Sequence, residues 1–173
     1  MEGRLKGRTA VITGGAMGLG NAFARRLASE GANIVIADLK NAESAAAAMG
    51  KECLGVTTDI CDEKSVAALV TRARERFGRI DVLVNNAGSG FLGTMEETTF
   101  EQLTQVMDVN FYGVWRVIDA VFPHMRKAGS GRIITNTSIG GLIGQPFNDA
   151  YCAAKFACEG FMESLAPVAK RLG

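Results

Sequence analysis

The sequence predicts an α/β fold built on a doubly wound parallel sheet. Three observations predict it: short unbroken apolar runs such as Ile34-Val35-Ile36, longer helical patterns between them, and glycine-rich or polar loops where the runs end. A strand buried on both faces reads as a continuous apolar run, which belongs to a parallel sheet covered by helices. Repeated β–α order with right-handed crossovers gives the doubly wound arrangement. With 173 residues, 47% hydrophobic and 21% charged, the chain is large enough for one domain with a real core, spanning residues 1–173. No linker, low-complexity tract or internal repeat divides it.

The first strand is expected at Thr9–Thr13, followed by a helix at Leu19–Ser29. A second strand at Asn33–Asp38 leads to a helix at Glu43–Met49, whose Ala45–Ala48 run reads as plain surface helix because alanine is the best helix former. Strands at Leu54–Thr58 and Asp81–Asn85 flank a helix at Glu63–Phe77. A long helix from about Phe100 to Lys127 precedes a strand at Gly131–Thr137, and a last helix runs from about Asp149 to Lys170.

Composition excludes several classes of function. Nineteen basic against eighteen acidic residues leave a net charge of +1, with no basic surplus to neutralise phosphates, so no nucleic-acid partner is expected. The start, Met1-Glu2-Gly3-Arg4-Leu5-Lys6-Gly7, has no apolar core of a secretory signal. No apolar run approaches the roughly 18–20 residues that span a bilayer. A soluble cytoplasmic protein without a membrane partner is expected. Cys53, Cys61, Cys152 and Cys158 form no C-x-x-C pair and there is a single histidine, so no metal site is expected and the cysteines read as free buried thiols. His124 lies away from every expected strand end and reads as a surface or packing residue.

Function concentrates at the strand ends. The first strand closes in Thr13-Gly14-Gly15-Ala16-Met17-Gly18-Leu19-Gly20 as a helix begins. Glycines at 14, 18 and 20 remove Cβ atoms between backbone and ligand, so N–H groups at a helix start meet a pyrophosphate. A glycine-rich loop alone is weak evidence, but between a buried strand and a helix it points to a nucleotide. Asp38 ends the second strand, about 20 residues on, where a carboxylate accepts hydrogen bonds from both adenosine ribose hydroxyls and repels a 2′-phosphate. An aspartate at a strand end also serves as a turn cap, and the preceding loop decides for the ribose. Leu39 follows it, and no Arg or Lys occurs from Gly14 to Gly20, so NAD is expected rather than NADP; Lys40 is the one basic residue nearby.

In Tyr151-Cys152-Ala153-Ala154-Lys155, positions four apart share a helix face and place the lysine beside the phenol. A phenol is a poor base at neutrality, and a neighbouring ammonium favours its phenolate form, which then takes an alcohol proton or returns it to a ketone. Ser138 stands just past the fifth strand, 13 residues before Tyr151, where a hydroxyl polarises the substrate oxygen. Asn110 lies inside a helical pattern, an unfavourable place for asparagine because its side chain competes for backbone hydrogen bonds.

These motifs resemble those of the short-chain dehydrogenase/reductase family. The loop has that family's T-G-x-x-x-G-x-G spacing, Asn85-Asn86-Ala87-Gly88 matches its N-N-A-G, and Asn110, Ser138, Tyr151 and Lys155 fall at its usual intervals. The resemblance implies a Rossmann fold and hydride transfer between NAD and a small-molecule alcohol or ketone. It implies catalytic roles for Asn110, Ser138, Tyr151 and Lys155, with Asn110 holding a water that passes protons to Lys155. It implies cofactor contacts from Gly14, Met17, Gly18, Leu19, Gly20, Asp38, Asp59, Ile60, Asn86, Ala87 and Gly88, and from Tyr151 and Lys155. Asp59 would meet the adenine amino group, Ile60 would do so through its backbone, and Lys155 would also bind the nicotinamide ribose.

From Asn86 onward, and above all in Ser138–Tyr151 and Phe156–Gly160, the chain is similar to the 17β-hydroxysteroid dehydrogenase branch. That likeness implies an apolar, steroid- or retinoid-like substrate, with Gly90, Gly140, Pro146 and Phe147 lining its pocket. Members of the family pair into homodimers or homotetramers through the long helix and the last one. They also continue past the last helix with two more strands, a Pro-Gly turn and a mobile lid. The chain is therefore expected to be incomplete at its C-terminus, lacking the last strands of its sheet, with its fifth strand an open apolar edge. The alternative reading is a nucleotide-binding pseudoenzyme or fragment without turnover.

Overall fold

Apolar runs and helical patterns fold as their periods dictate. The computed structural model describes residues 3–173, so Met1 and Glu2 of the opening stretch lie outside it. Strand β1 (Thr9–Thr13) leads to α1 (Gly18–Ser29), β2 (Asn33–Asp38) to α2 (Ala42–Ala47), and β3 (Cys53–Thr57) to α3 (Glu63–Phe77). Strand β4 (Val82–Asn85) is followed by α4 (Phe100–Met107), a π turn at Asp108–Tyr112 and α5 (Gly113–Ala128). Strand β5 (Arg132–Thr135), a 3₁₀ turn at Ile139–Gly141 and α6 (Asp149–Arg171) complete the described residues.

All strand pairs are parallel, in the order β3-β2-β1-β4-β5. Val11 of β1 stands beside Val35 of β2 and Leu83 of β4. The chain builds outward from β1 to β3, then crosses to the other side of β1. That reversal opens a crevice beyond the carboxyl ends of β1 and β4, the place where doubly wound sheets hold ligands.

The sheet separates two apolar cores. Val11, Val35 and Leu83 face one, where α3 and α5 supply Leu69, Val117 and Val121. Ile12, Ile34 and Ile36 face the other, beneath Ala24 of α1 and Ala46 of α2. At the opposite end from the crevice, Asp81 clamps the strands. It accepts from Arg8 Nη1 at 2.7 Å, Arg79 Nε at 2.7 Å and the Thr9 N–H at 2.9 Å. Burial raises the Asp81 carboxyl, but these hydrogen bonds outweigh it and hold the group below its ordinary value.

Several expectations need correction. The long helix is not continuous, because one π turn interrupts it around Asn110. Strand β5 is shorter than Gly131–Thr137, since among the described residues it pairs with β4 alone and their pairing ends at Asn85 beside Thr135. The alanine-rich α2 is not a plain surface helix: Ala42 and Ala46 are buried, and a Cβ on Gly55 of β3 would come within 2.4 Å of the Ala42 carbonyl oxygen. Small residues on both sides let this helix lie close to the strand. Cys152 and Cys158 are buried as expected, whereas Cys53 and Cys61 are only half-buried.

Candidate active site

The crevice contains two adjoining regions, one a cavity walled by strand-end loops and one carrying hydroxyl, amide and ammonium side chains. In the first, a cavity of about 340 Å³ is lined by Gly14 and Met17, by Asp38, by Asp59 and Ile60, and by Asn86, Ala87 and Gly88. Four separate strand ends thus contribute to one space. Thr13 fixes two of them together, its hydroxyl accepting the N–H groups of Asn86 at 3.0 Å and Ala87 at 3.1 Å. The Asn86 side chain donates to the Gly14 carbonyl at 3.0 Å and accepts from Asn136 Nδ2 at 3.1 Å, adding the segment after β5.

Asp38 ties the glycine loop to the end of β2. One carboxylate oxygen accepts the Ala16 N–H at 3.0 Å and the other the Lys40 N–H at 3.2 Å. A carboxylate has about four acceptor sites, so capacity remains for two ribose hydroxyls.

The start of α1 suits an anion. Its N-cap, Met17, supplies no capping side chain, and no acidic residue occupies the first turn. The first-turn N–H groups lack intrahelical acceptors, and the positive end of the helix dipole adds to their pull. Gly18 takes φ of 54°, and a Cβ built there meets nothing within 4 Å, so backbone faces open space. Gly20 differs: its Cβ would lie 2.1 Å from the Gly14 carbonyl oxygen, so this glycine allows loop and helix to touch. Gly18, Leu19 and Gly20 lie outside the cavity lining, and Leu19 is exposed on the first turn.

The second region gathers residues from three elements. Lys155 is buried on α6, with Nζ 5.5 Å from the centre of the Tyr151 ring one turn earlier. Asn110 is fully buried in the π turn. Its side-chain amide donates to the carbonyls of Ser89 at 2.9 Å and Val106 at 3.0 Å, and its Oδ1 accepts the Ser89 N–H at 3.2 Å. The Asn110 carbonyl, within the π turn, accepts the Cys158 thiol of α6 at 3.1 Å. A π turn is a common device at functional sites, and here it presses the long helix against α6. A Cβ on Gly88 would sit 2.8 Å from Asn110 Oδ1 and 3.5 Å from Lys155 Nζ, so both side chains reach the loop that borders the nucleotide cavity.

Ser138 caps the 3₁₀ turn, its Oγ accepting the Gly140 N–H at 3.1 Å and leaving its own hydrogen for another acceptor. That turn packs on α6, where a Cβ on Gly141 would meet the Lys155 carbonyl oxygen at 3.0 Å. The next residue outward, Thr137, shares a short hydrogen bond with Glu159 of α6. Ser138 is therefore held over the helix that carries Tyr151 and Lys155.

The loops beside this region expose several apolar side chains. Leu92 and Met95 after β4, and Leu142, Ile143 and Phe147 before α6, are mostly exposed. The Phe147 carbonyl accepts the Gly93 N–H at 2.9 Å, joining the two loops. Phe147 does so with φ of 64°, a strained conformation for a residue with a side chain. Of the four expected pocket residues, Gly140 borders Ser138 directly, Gly90 is open, and Pro146 and Phe147 are exposed.

Other residues of the site were not expected from the sequence. Thr58, Leu39, Cys61 and Val109 also line the cavity, and Thr13 organises it. Thr13 could have been found, since a hydroxyl at the last position of β1 faces the next strand's loop. Burial, followed by the charge and hydrogen bond of Asp108, pushes the Cys61 thiol up to about 12, so it is no nucleophile. His124 lies half-buried late in α5, away from the crevice. Among the described residues no cluster of metal ligands occurs and no helix is long and apolar enough to cross a membrane. A larger cavity, about 680 Å³, lies between β5 and the ends of α5 and α6, and none of the expected site residues line it.

The chain is similar to several known proteins. A family model described as short chain dehydrogenase matches residues 8–172. The chain is 44% identical over 171 residues to human 17-beta-hydroxysteroid dehydrogenase type 1, covering 92% of this chain and 52% of that protein. It is 40% identical over 169 residues to oxidoreductase UcpA of Salmonella typhimurium, covering 95% and 64%. The chain thus spans between half and two-thirds of the length of these curated relatives. The crystal structure of levodione reductase superposes with a TM-score of 0.92 at 35% identity, over 98% of this chain and 69% of that one.

Proposed function

The chain belongs to the short-chain dehydrogenase family, and from that premise we propose that it transfers hydride between NAD(H) and an apolar secondary alcohol or ketone. One observation carries the reading: Asn110, Lys155 and, through Lys155, Tyr151 converge at Gly88, on the border of a cavity made by four strand-end loops.

The residues fit the dinucleotide. Uncapped N–H groups at the start of α1 would hold the pyrophosphate, Asp38 the adenosine ribose, and Asp59 with Ile60 the adenine. Asp38 favours NAD over NADP, because a ribose 2′-phosphate would face its carboxylate in a loop without Arg or Lys. When bound, the cofactor supplies a nicotinamide carbon that exchanges hydride with the carbinol carbon.

The chain's own groups handle the proton and the oxygen. Ser138 donates its free hydrogen to the substrate oxygen. Tyr151 takes the hydroxyl proton as hydride leaves the same carbon, and returns it when a ketone is reduced. Lys155 stabilises the phenolate by its charge and holds the nicotinamide ribose. Asn110, anchored through three hydrogen bonds to backbone groups, holds the π turn open beside Lys155 and lets a water relay protons there.

An apolar substrate is supported by the exposed Leu92, Met95, Leu142, Ile143 and Phe147 above the reacting groups. It is supported too by the named steroid activity of the human relative. Turnover of estradiol and of short secondary alcohols with NAD tests the reading. Oxidation of estradiol is expected; reaction of the short alcohols alone would overturn the substrate class.

A further inference from the structure

One half-buried polar side chain of these loops has no hydrogen-bond partner among the described residues. Gln145 is half-buried between Gly144 and Pro146, and its backbone carbonyl accepts the Asn148 N–H at 3.1 Å. Its carboxamide has no hydrogen bond among the described residues. It nevertheless lies beside the reacting centre. A Cβ built on Gly140 would be 3.2 Å from Gln145 Oε1, 3.2 Å from Cys152 Sγ and 3.6 Å from Ser138 Oγ. The serine hydroxyl, the residue next to Tyr151 and the glutamine amide therefore all pack around Gly140, which has no side chain to separate them.

We propose that Gln145 selects substrates carrying a second neutral oxygen, a hydroxyl or ketone, on the carbon next to the reacting one or one beyond. This rests on the hydride-transfer reading above. With Ser138 on the reacting oxygen, the nearby carboxamide meets an oxygen one or two carbons away. A carboxamide both donates and accepts, so it serves a hydroxyl or a carbonyl equally. It carries no charge, and Leu142, Ile143 and Phe147 around it are apolar and exposed, so an ionised neighbour such as a carboxylate would be poorly solvated there. A substrate with one oxygen would instead bury the amide unsatisfied, which is the usual origin of discrimination between such analogues.

The test compares matched probes, cyclohexanol with cyclohexane-1,2-diol and cyclohexanone with 2-hydroxycyclohexanone, in binding to the NAD(H)-saturated chain by calorimetry and in turnover. The wild-type chain should prefer the dioxygenated member by about three- to tenfold, the worth of one neutral hydrogen bond, with the difference in Kd and KM rather than in kcat. Gln145→Met, similar in shape but unable to donate, should reduce that ratio to about one. Equal affinity of the wild-type chain for both members of each pair overturns the proposal, as does a ratio that survives Gln145→Met. A binding preference lost in Gln145→Met without any turnover would uphold Gln145 and contradict hydride transfer, which separates the two readings.

Discussion

The two sides of the sheet are built to different standards. In β1 all five residues are buried, and in β2 the four central ones are. In β5 exposed and half-buried residues alternate, and Ile134 is 46% exposed. Among the described residues β1, β2 and β4 each have partners on both sides, whereas β5 pairs with β4 alone and β3 with β2 alone. Of the four loops around the smaller cavity, three leave strands paired on both sides, β1, β2 and β4, and the fourth leaves β3, which pairs with β2 alone among the described residues. The reacting groups hang instead on α6 and the π turn. Their placement comes from specific polar ties: Asn110 to Ser89, Cys158 to Asn110, and Thr137 to Glu159. Hydrogen bonds thus position both regions of the site, and in the first they add to strands β1, β2 and β4, each paired on both sides.

The largest effect should come from chemistry on the second side. Tyr151→Phe removes the proton-transfer hydroxyl and keeps the ring, and kcat should fall about 10²–10⁴-fold. NADH affinity should change far less, as steady-state rates and a binding titration together would show. A comparable loss of NADH affinity would mean that the two regions are not separable.

Next comes packing on the enclosed side. Gly20→Ala forces a Cβ to 2.1 Å from the Gly14 carbonyl oxygen, and should lower stability by about 1–3 kcal/mol in a urea melt while weakening nucleotide binding. Unchanged stability would show that the glycine loop is looser than its contacts imply.

Asp81→Asn, far from the site, should lose about 1–3 kcal/mol by weakening the clamp on Arg8, Arg79 and the Thr9 N–H. Because the folded carboxyl sits below its ordinary value, its contribution is complete at neutral pH. It is lost as pH falls below about 4 and through the folded value. Thermal melts from pH 7 to pH 3 should show this acid loss in the wild-type chain and a shallower one in the variant.

The smallest effect belongs to the edge. In the 173-residue chain, where β5 pairs with β4 alone among the described residues, Ile134→Lys should alter stability by no more than about 0.5 kcal/mol and reduce aggregation measured by light scattering, since charge on a strand with one free side discourages pairing with other chains. The same change at fully buried Ile36 should prevent folding. Similar outcomes at the two positions would erase the contrast between the two sides.

This contrast also explains what could be read in advance. Strand β1 and helix α3 fall where the apolar period and local caps put them: Asp62 accepts the Lys64 N–H at 2.9 Å, and Gly78 closes α3 in a left-handed conformation. These signals are local. The extent of β5 was not legible, because a strand continues only as far as its neighbour, and β4 stops at Asn85. The π turn was half legible: asparagine inside a helical pattern marks an anomaly, but its form depends on Ser89 and Cys158, both distant in sequence. Tyr151 and Lys155 follow from one helical turn. Gln145 stayed unnoticed because its significance lies in what surrounds Gly140, and no spacing records that.

The measurement that bears most directly on the account is a calorimetric titration of the chain with NADH and, separately, NADPH, repeated on Asp38→Ala. Saturable binding of NADH, little binding of NADPH, and a variant that loses the discrimination are the expected results. Binding of NADPH as tight as NADH by the wild-type chain, or of neither nucleotide, would contradict the reading of the four strand-end loops as an NAD site.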